Sequence, residues 1–214
     1  PNWAENFVLW LALQKAGMLT LTPEGGVDLS HTQAVYFPGN SGYFLLNRVS
    51  RAQGVVTPEE EQAVLAKLRA VLSEIRDPET RARLVRRILD PRQDGRELGL
   101  GGPQGGDLYV TLAPGYQPSA ALRGDLVTKR PPRGDHLLDP ERREMHAAFT
   151  VSGPGVAAGA DLGLIHQVDV APTLSALLGL EPPAQAVGRV LREALAPRAP
   201  VATSQDQPAA STVN

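Results

Sequence analysis

The sequence lacks cysteine, a charge excess of one sign and any long hydrophobic run. With no cysteine among 214 residues, disulfides and thiolate metal sites are excluded. Lys+Arg 21 against Asp+Glu 23 give a formal net charge of −2, so no overall field attracts nucleic acid or an acidic membrane. No run approaches the ~20 apolar residues of a membrane span. We therefore expect neither a nucleic-acid partner nor a membrane-spanning segment.

Glycine and proline, in contrast, are abundant, at 21 and 19 residues. This predicts many turns and long connections. A hydrophobic fraction of 42% suits a globular core, and the length suits one sizeable domain or two small ones. The sequence begins at Pro1 without a methionine or a signal peptide, and we expect it to be a piece of a longer polypeptide.

The clearest local pattern is a helix over residues 57–75. Thr57 and Glu60 have the spacing of a capping box, and Pro58 suits the first helical position. One face is apolar at helical spacing, comprising Val64, Leu65, Leu68, Val71, Leu72 and Ile75. The acidic residues 59–61 lie where the helix dipole favours carboxylates, which explains them without a metal site.

Turn clusters divide the remaining first half into short elements. Asn2 and Glu5 also have capping-box spacing, which predicts a helix ending at Gly17. Hairpins are predicted for residues 19–29 and 33–47, and strands for 107–112 and 126–128. The glycine-rich residues 94–106 are predicted to be a loop, because the P-loop and dinucleotide motifs need a strand-to-helix context that is missing here.

Two clusters in this half allow a functional and a structural interpretation. Tyr36, Tyr43 and Phe44 could form an aromatic stacking platform, but without a run of basic residues we favour ordinary sheet packing. The arginines between 81 and 96 could grip phosphate. We favour a solvated face balanced by the acidic helix before it.

The last third contains a predicted strand, a predicted helix and a tail. Residues 145–151 are an apolar run ending at Gly153-Pro154-Gly155, which is typical of a buried strand. Residues 168–178 predict a helix with Pro172 in its first turn, Gly179 as its stop and Asp169 as its cap. We expect Val151 and Leu174 to be buried, and residues 197–214, rich in Pro, Ala, Ser and Thr, to be disordered.

The order of motifs in this third resembles the C-terminal end of the type I phosphodiesterase/nucleotide pyrophosphatase family, within the alkaline phosphatase superfamily. The resemblance is strong over about the last third of the chain, up to the tail, and weaker before it. It is carried by a series of short segments, namely Gly134-Asp135-His136, residues 143–149, Gly153-Pro154-Gly155, residues 168–173, residues 177–180 and residues 188–191.

The resemblance implies an α/β fold, the C-terminal portion of an alkaline-phosphatase-like sheet flanked by helices, with a mixed α+β inserted region. Residues 1–133 would be the α+β region that follows a missing metal-binding half. Residues 134–196 would be the C-terminal strand–helix part of the core, followed by the tail. The family pattern also offers a short strand at residues 7–9 before the first helix.

The same resemblance implies a parent enzyme that hydrolyses phosphate esters or phosphoanhydrides of small substrates such as nucleotides. Two divalent metal ions, usually zinc, would activate a Thr or Ser nucleophile. His136 matches one metal ligand, although Leu137 stands where the family commonly has glycine. The nucleophile and the other ligands would precede Pro1, so this chain alone is expected to be inactive. An extracytoplasmic location is favoured by the resemblance alone.

Structural roles remain open for each candidate side chain. His136 could be a solvated loop residue, and His146 is interpreted as structural. Asp135 fits a turn better than a position beside a metal. Asp169, interpreted as a helix cap, could also brace the metal loop. A different class of function also remains open: a non-catalytic α+β binding or scaffold module.

Overall fold

A computed structural model describes residues 4–7, 9–38, 42–131 and 142–197. The chain divides into two compact units, residues 1–146 and residues 147–214. The described architecture is mixed α/β, with a small four-stranded antiparallel sheet and several helices. None of the helices in the described part of the chain has the length and apolarity needed to span a bilayer.

The first unit contains two small sheets. Strands β1 (Ala4–Phe7), β6 (Tyr116–Pro118) and β7 (Val127–Arg130) form one, in the order β6-β1-β7. Strands β2 (Ala34–Phe37), β3 (Tyr43–Leu46), β4 (Val85–Leu89) and β5 (Leu108–Leu112) form the other, in the order β2-β3-β5-β4. All three pairings in the four-stranded sheet are antiparallel. The hairpin at 33–47 and the strands near 107–112 and 126–128 are therefore confirmed.

Three helices accompany these sheets: α1 (Leu9–Lys15), α2 (Glu61–Glu74) and α3 (Pro91–Leu98). The α2 prediction is confirmed, and Val64, Leu65, Leu68 and Leu72 are its buried residues. Half of the predicted capping box is present, because the backbone N–H of Thr57 donates to Glu60 Oε2 at 3.0 Å. The helix itself begins only at Glu61.

The core of the first unit lies between one face of the four-stranded sheet and helices α1 and α2. Tyr36 and Phe44 point into it from β2 and β3, with ring centroids 4.9 Å apart. The ring of Trp10 packs edge-on against Tyr36 at 6.0 Å. Burial raises the pKa of the Tyr36 hydroxyl, so this phenol is neutral and acts as a core group.

Two predictions for the first unit are wrong in part. The predicted helix ending at Gly17 is present as α1, but the segment before it is strand β1, at residues 4–7 rather than the 7–9 of the family pattern, because backbone pairing with β6 and β7 outweighs the local capping signal. Residues 91–98 form helix α3, which lies partly inside the predicted glycine-rich loop. Pro91 opens α3, Asp90 caps it and Gly99 ends it in the left-handed region, with φ of 65°.

The second unit contains one α-helix among its described residues, α4 (Val170–Leu178). A short 3-10 helix, Gln167–Asp169, leads into α4, and Gly179 ends it with a left-handed φ of 67°. Both ends of this helix therefore lie where the sequence predicts them. A second 3-10 helix, Arg192–Ala194, follows near the end of the described chain.

The predicted strand over residues 145–151 is not formed. Met145 ends a 3-10 helix, Arg143–Met145, and residues 146–151 have no strand assignment. A strand requires a neighbour that satisfies its backbone N–H and C=O groups. Among the described residues, no strand lies beside this segment.

The expected burial of Leu174 is also wrong, and that of Val151 is only partial. Leu174 is 40% exposed, and Val151 is half-buried. Pro172 and Thr173, instead, form the buried side of α4. The tail from residue 198 onward lies outside the described residues.

Candidate functional site

The candidate metal ligand His136, with Asp135 beside it, lies outside the described residues. The described part of the chain contains no group of three or more His, Cys, Asp or Glu side chains placed to hold a metal ion. A catalytic zinc needs about three protein ligands. The described residues therefore do not by themselves fit a zinc pair.

The three described histidines each occupy a local position. His31 Nδ1 lies 2.8 Å from Asp28 Oδ2, at the end of an exposed 3-10 turn. His146 is exposed and follows another such turn. The backbone N–H of His166 donates to Asp169 Oδ2 at 3.3 Å. These surroundings give the three side chains structural or solvated positions.

Asp169 is the most informative polar residue of the second unit. It is buried, and its carboxylate accepts the backbone N–H of His166 and, at 2.9 Å, that of Arg189. The sequence predicts a helix cap here, but the Asp169 side chain makes no capping bond to α4. It completes the capping box of the 3-10 helix before α4 through the N–H of His166, and it holds the returning chain segment through that of Arg189.

Thr173 completes this clasp, which consists of Asp169, Thr173 and the backbone of residues 188–191. The Thr173 hydroxyl donates to the backbone oxygen of Asp169 at 2.6 Å and accepts the backbone N–H of Leu191 at 2.9 Å. Gly188 is part of the same packing, because a Cβ there would lie 2.1 Å from the backbone oxygen of Val168. The clasp thus joins two of the motifs that carry the family resemblance.

We expect Thr173→Val to loosen this clasp with almost no change in side-chain volume. The variant leaves the Leu191 N–H without its buried acceptor, at a cost of ~1–3 kcal/mol. Amide hydrogen exchange at Leu191 measures the effect directly and should accelerate. Ser175→Ala on the same helix is the control, and equal acceleration in both variants would contradict the clasp.

A groove of about 290 Å³ lies within the second unit. Its walls come mainly from residues 147–151 and 160–165. Thr150 and Asp161 supply the only polar side chains among the lining residues, and Asp161 Oδ1 already accepts the N–H of Gly163 at 2.9 Å. One carboxylate and one hydroxyl do not make a metal site or an acid–base pair.

Glu61, at the start of α2, takes part in a charged network. Arg48 lies between Glu61 and Asp107, with its Nε 2.7 Å from Glu61 Oε1 and its Nη2 2.5 Å from Asp107 Oδ1. These hydrogen bonds raise the pKa of the Arg48 guanidinium above its ordinary, already high value. Asp107 Oδ2 also accepts the backbone N–H of Leu46. The network ties α2 to β3 and β5, which gives Glu61 and Asp107 a structural role.

The arginine-rich segment contributes a second charged network, around buried Asp90. Arg92 Nη2 lies 2.6 Å from Asp90 Oδ2, and Arg69 of α2 contacts the same oxygen. Hydrogen bonds from Arg92, opposed by burial, lower the pKa of Asp90 to about 2. Arg92 of this segment and Arg69 of α2 are thus engaged internally.

Acid should therefore destabilise the first unit through Asp90. Because its pKa is lowered in the folded state, Asp90 stabilises the fold above its unfolded pKa near 3.8, and this contribution is lost as the pH falls towards 2. The shift corresponds to roughly 1–3 kcal/mol. Asp90→Asn keeps a capping oxygen for α3, but should flatten the pH dependence of unfolding between pH 4 and 2. Exposed Asp125→Asn is the control, and an unchanged Asp90→Asn profile would contradict this assignment.

The aromatic residues divide between the two faces of the four-stranded sheet. Tyr36 and Phe44 are core residues, whereas Tyr43 stacks with Phe37 on the other face, with centroids 5.1 Å apart and planes at 14°. Tyr109 extends this row, 5.8 Å from Tyr43. The alternation of Tyr36 with Phe37 and of Tyr43 with Phe44 is the signal that could have separated the two groups.

Comparisons with known proteins gave no match for this chain, whether with protein-family models, with curated proteins or with solved structures.

Proposed function

We propose that this chain is the C-terminal part of a metal-dependent phosphodiesterase or nucleotide pyrophosphatase with an alkaline-phosphatase-like core. The observation that carries the proposal is the order and spacing of the short motifs between residues 134 and 191. The substrate class is a small phosphate ester or phosphoanhydride, such as a nucleotide. The Thr or Ser nucleophile and most metal ligands belong to the preceding part of the same polypeptide.

The clasp of the second unit supports this proposal. Residues 168–173 and 188–191 are two separate motifs of the resemblance, and they are joined through buried Asp169 and Thr173. A shared structural role explains why both motifs occur together. The clasp performs no chemistry in this proposal, and it shapes the C-terminal strand–helix part of the core.

The apolar surface of the second unit also supports a larger protein. Leu164, Leu178 and Val187 are each more than 70% exposed, whereas Leu191 and Ala194 are its buried apolar residues besides Pro172. The second unit thus buries little apolar surface by itself, which is typical of a part that needs further contacts for its stability. The segment 146–151, which lacks a strand neighbour among the described residues, would likewise gain one from a larger sheet.

The alternative is a non-catalytic α+β binding or scaffold module. The contiguous core of the first unit favours it, because this unit packs two helices on a sheet from its own residues. The two proposals differ in what precedes residue 1 in the gene. An aspartate at a strand end, a Thr or Ser nucleophile and a Ser-Asp-His-Gly segment would support the enzyme, and their absence would support the module.

Activity measurements test the proposal directly. The purified chain should not hydrolyse bis(p-nitrophenyl) phosphate, whereas the longer polypeptide should do so and should lose activity when a chelator removes its metals. If the isolated chain hydrolyses this substrate and His136→Ala abolishes the hydrolysis, the assignment of the catalytic groups to the preceding part is wrong. If the longer polypeptide folds but is purified without metal and does not hydrolyse phosphate esters, the enzyme proposal is wrong.

A further inference from the structure

We draw no further inference here: the strongest candidate, the row of Phe37, Tyr43 and Tyr109 on the face of the four-stranded sheet opposite the core, carries nothing because the described structure does not show what covers that face.

Discussion

In the proposed full-length enzyme, replacing His136 by alanine should remove one metal ion and most of the catalytic activity. If His136 is a direct ligand, its loss should depress turnover far more than the ~10–100-fold typical of residues that only orient a ligand. Neutral imidazole is a common zinc ligand, and a catalytic zinc has few protein ligands to spare. Bound zinc should fall from two ions towards one per chain.

Metal content by atomic spectroscopy and turnover of a phosphodiester should be measured on the same preparations. His146→Ala is the matched control, because His146 is an exposed histidine ten residues further along. It should keep both its metal and its activity. Circular dichroism should be unchanged in both variants, because the sequence predicts a loop at His136 and His146 is exposed. Unchanged zinc content with unchanged turnover in His136→Ala would make His136 an ordinary loop residue.

Phe44→Ala should be the most destabilising substitution on strand β3. Phe44 is fully buried and packs against the ring of Tyr36. Removing a buried phenyl ring costs ~3–5 kcal/mol, through lost transfer free energy and the cavity that remains. Denaturant unfolding followed by tryptophan fluorescence should report this loss, because Trp10 packs on the same cluster.

Tyr43→Ala provides the matched control for this prediction. Tyr43 is the preceding residue on the same strand, but it is only half-buried and stacks with Phe37 on the opposite face. Loss of such aromatic contacts should cost less, ~0.5–1.5 kcal/mol per pair beyond the area term. If both variants lost equal stability, the assignment of the core to the face that carries Phe44 would be wrong.

Local sequence signals predicted well those elements whose stability depends on near neighbours. Helix α2 has its apolar face at helical spacing, and α4 ends at a glycine that adopts a left-handed backbone. The hairpin of β2 and β3 surrounds a turn cluster, and its register pairs Phe37 with Tyr43. In each case, the residues that make the element lie within one continuous stretch of chain.

The predictions that failed concern partners distant in sequence. Residues 145–151 have the composition of a buried strand, but composition does not supply a neighbouring strand. The opening capping box predicts a helix, whereas β1 pairs with β6 and β7, more than 100 residues away. The expected burial of Leu174 assumed a surface for α4 to pack against.

The candidate site also combines a local sequence signal with a contact between residues that are distant in sequence. The sequence identified His136 through a motif, without a derivation from geometry, and that residue lies outside the described structure. It also singled out Asp169, but as a helix cap. The structural role of Asp169 depends on the N–H of Arg189, 20 residues later, and no local pattern specifies such a contact.

By itself, then, the sequence determined the absence of disulfides, the near-neutral charge, helix α2, helix α4 and the hairpin of β2 and β3. These follow from residue chemistry and from periodicity over a few turns. Only the tertiary structure decided which aromatic residues enter the core, how Arg48 joins Glu61 to Asp107, and how Thr173 holds Leu191. The physical reason is that burial and hydrogen-bond satisfaction depend on which distant segments the folded chain brings together.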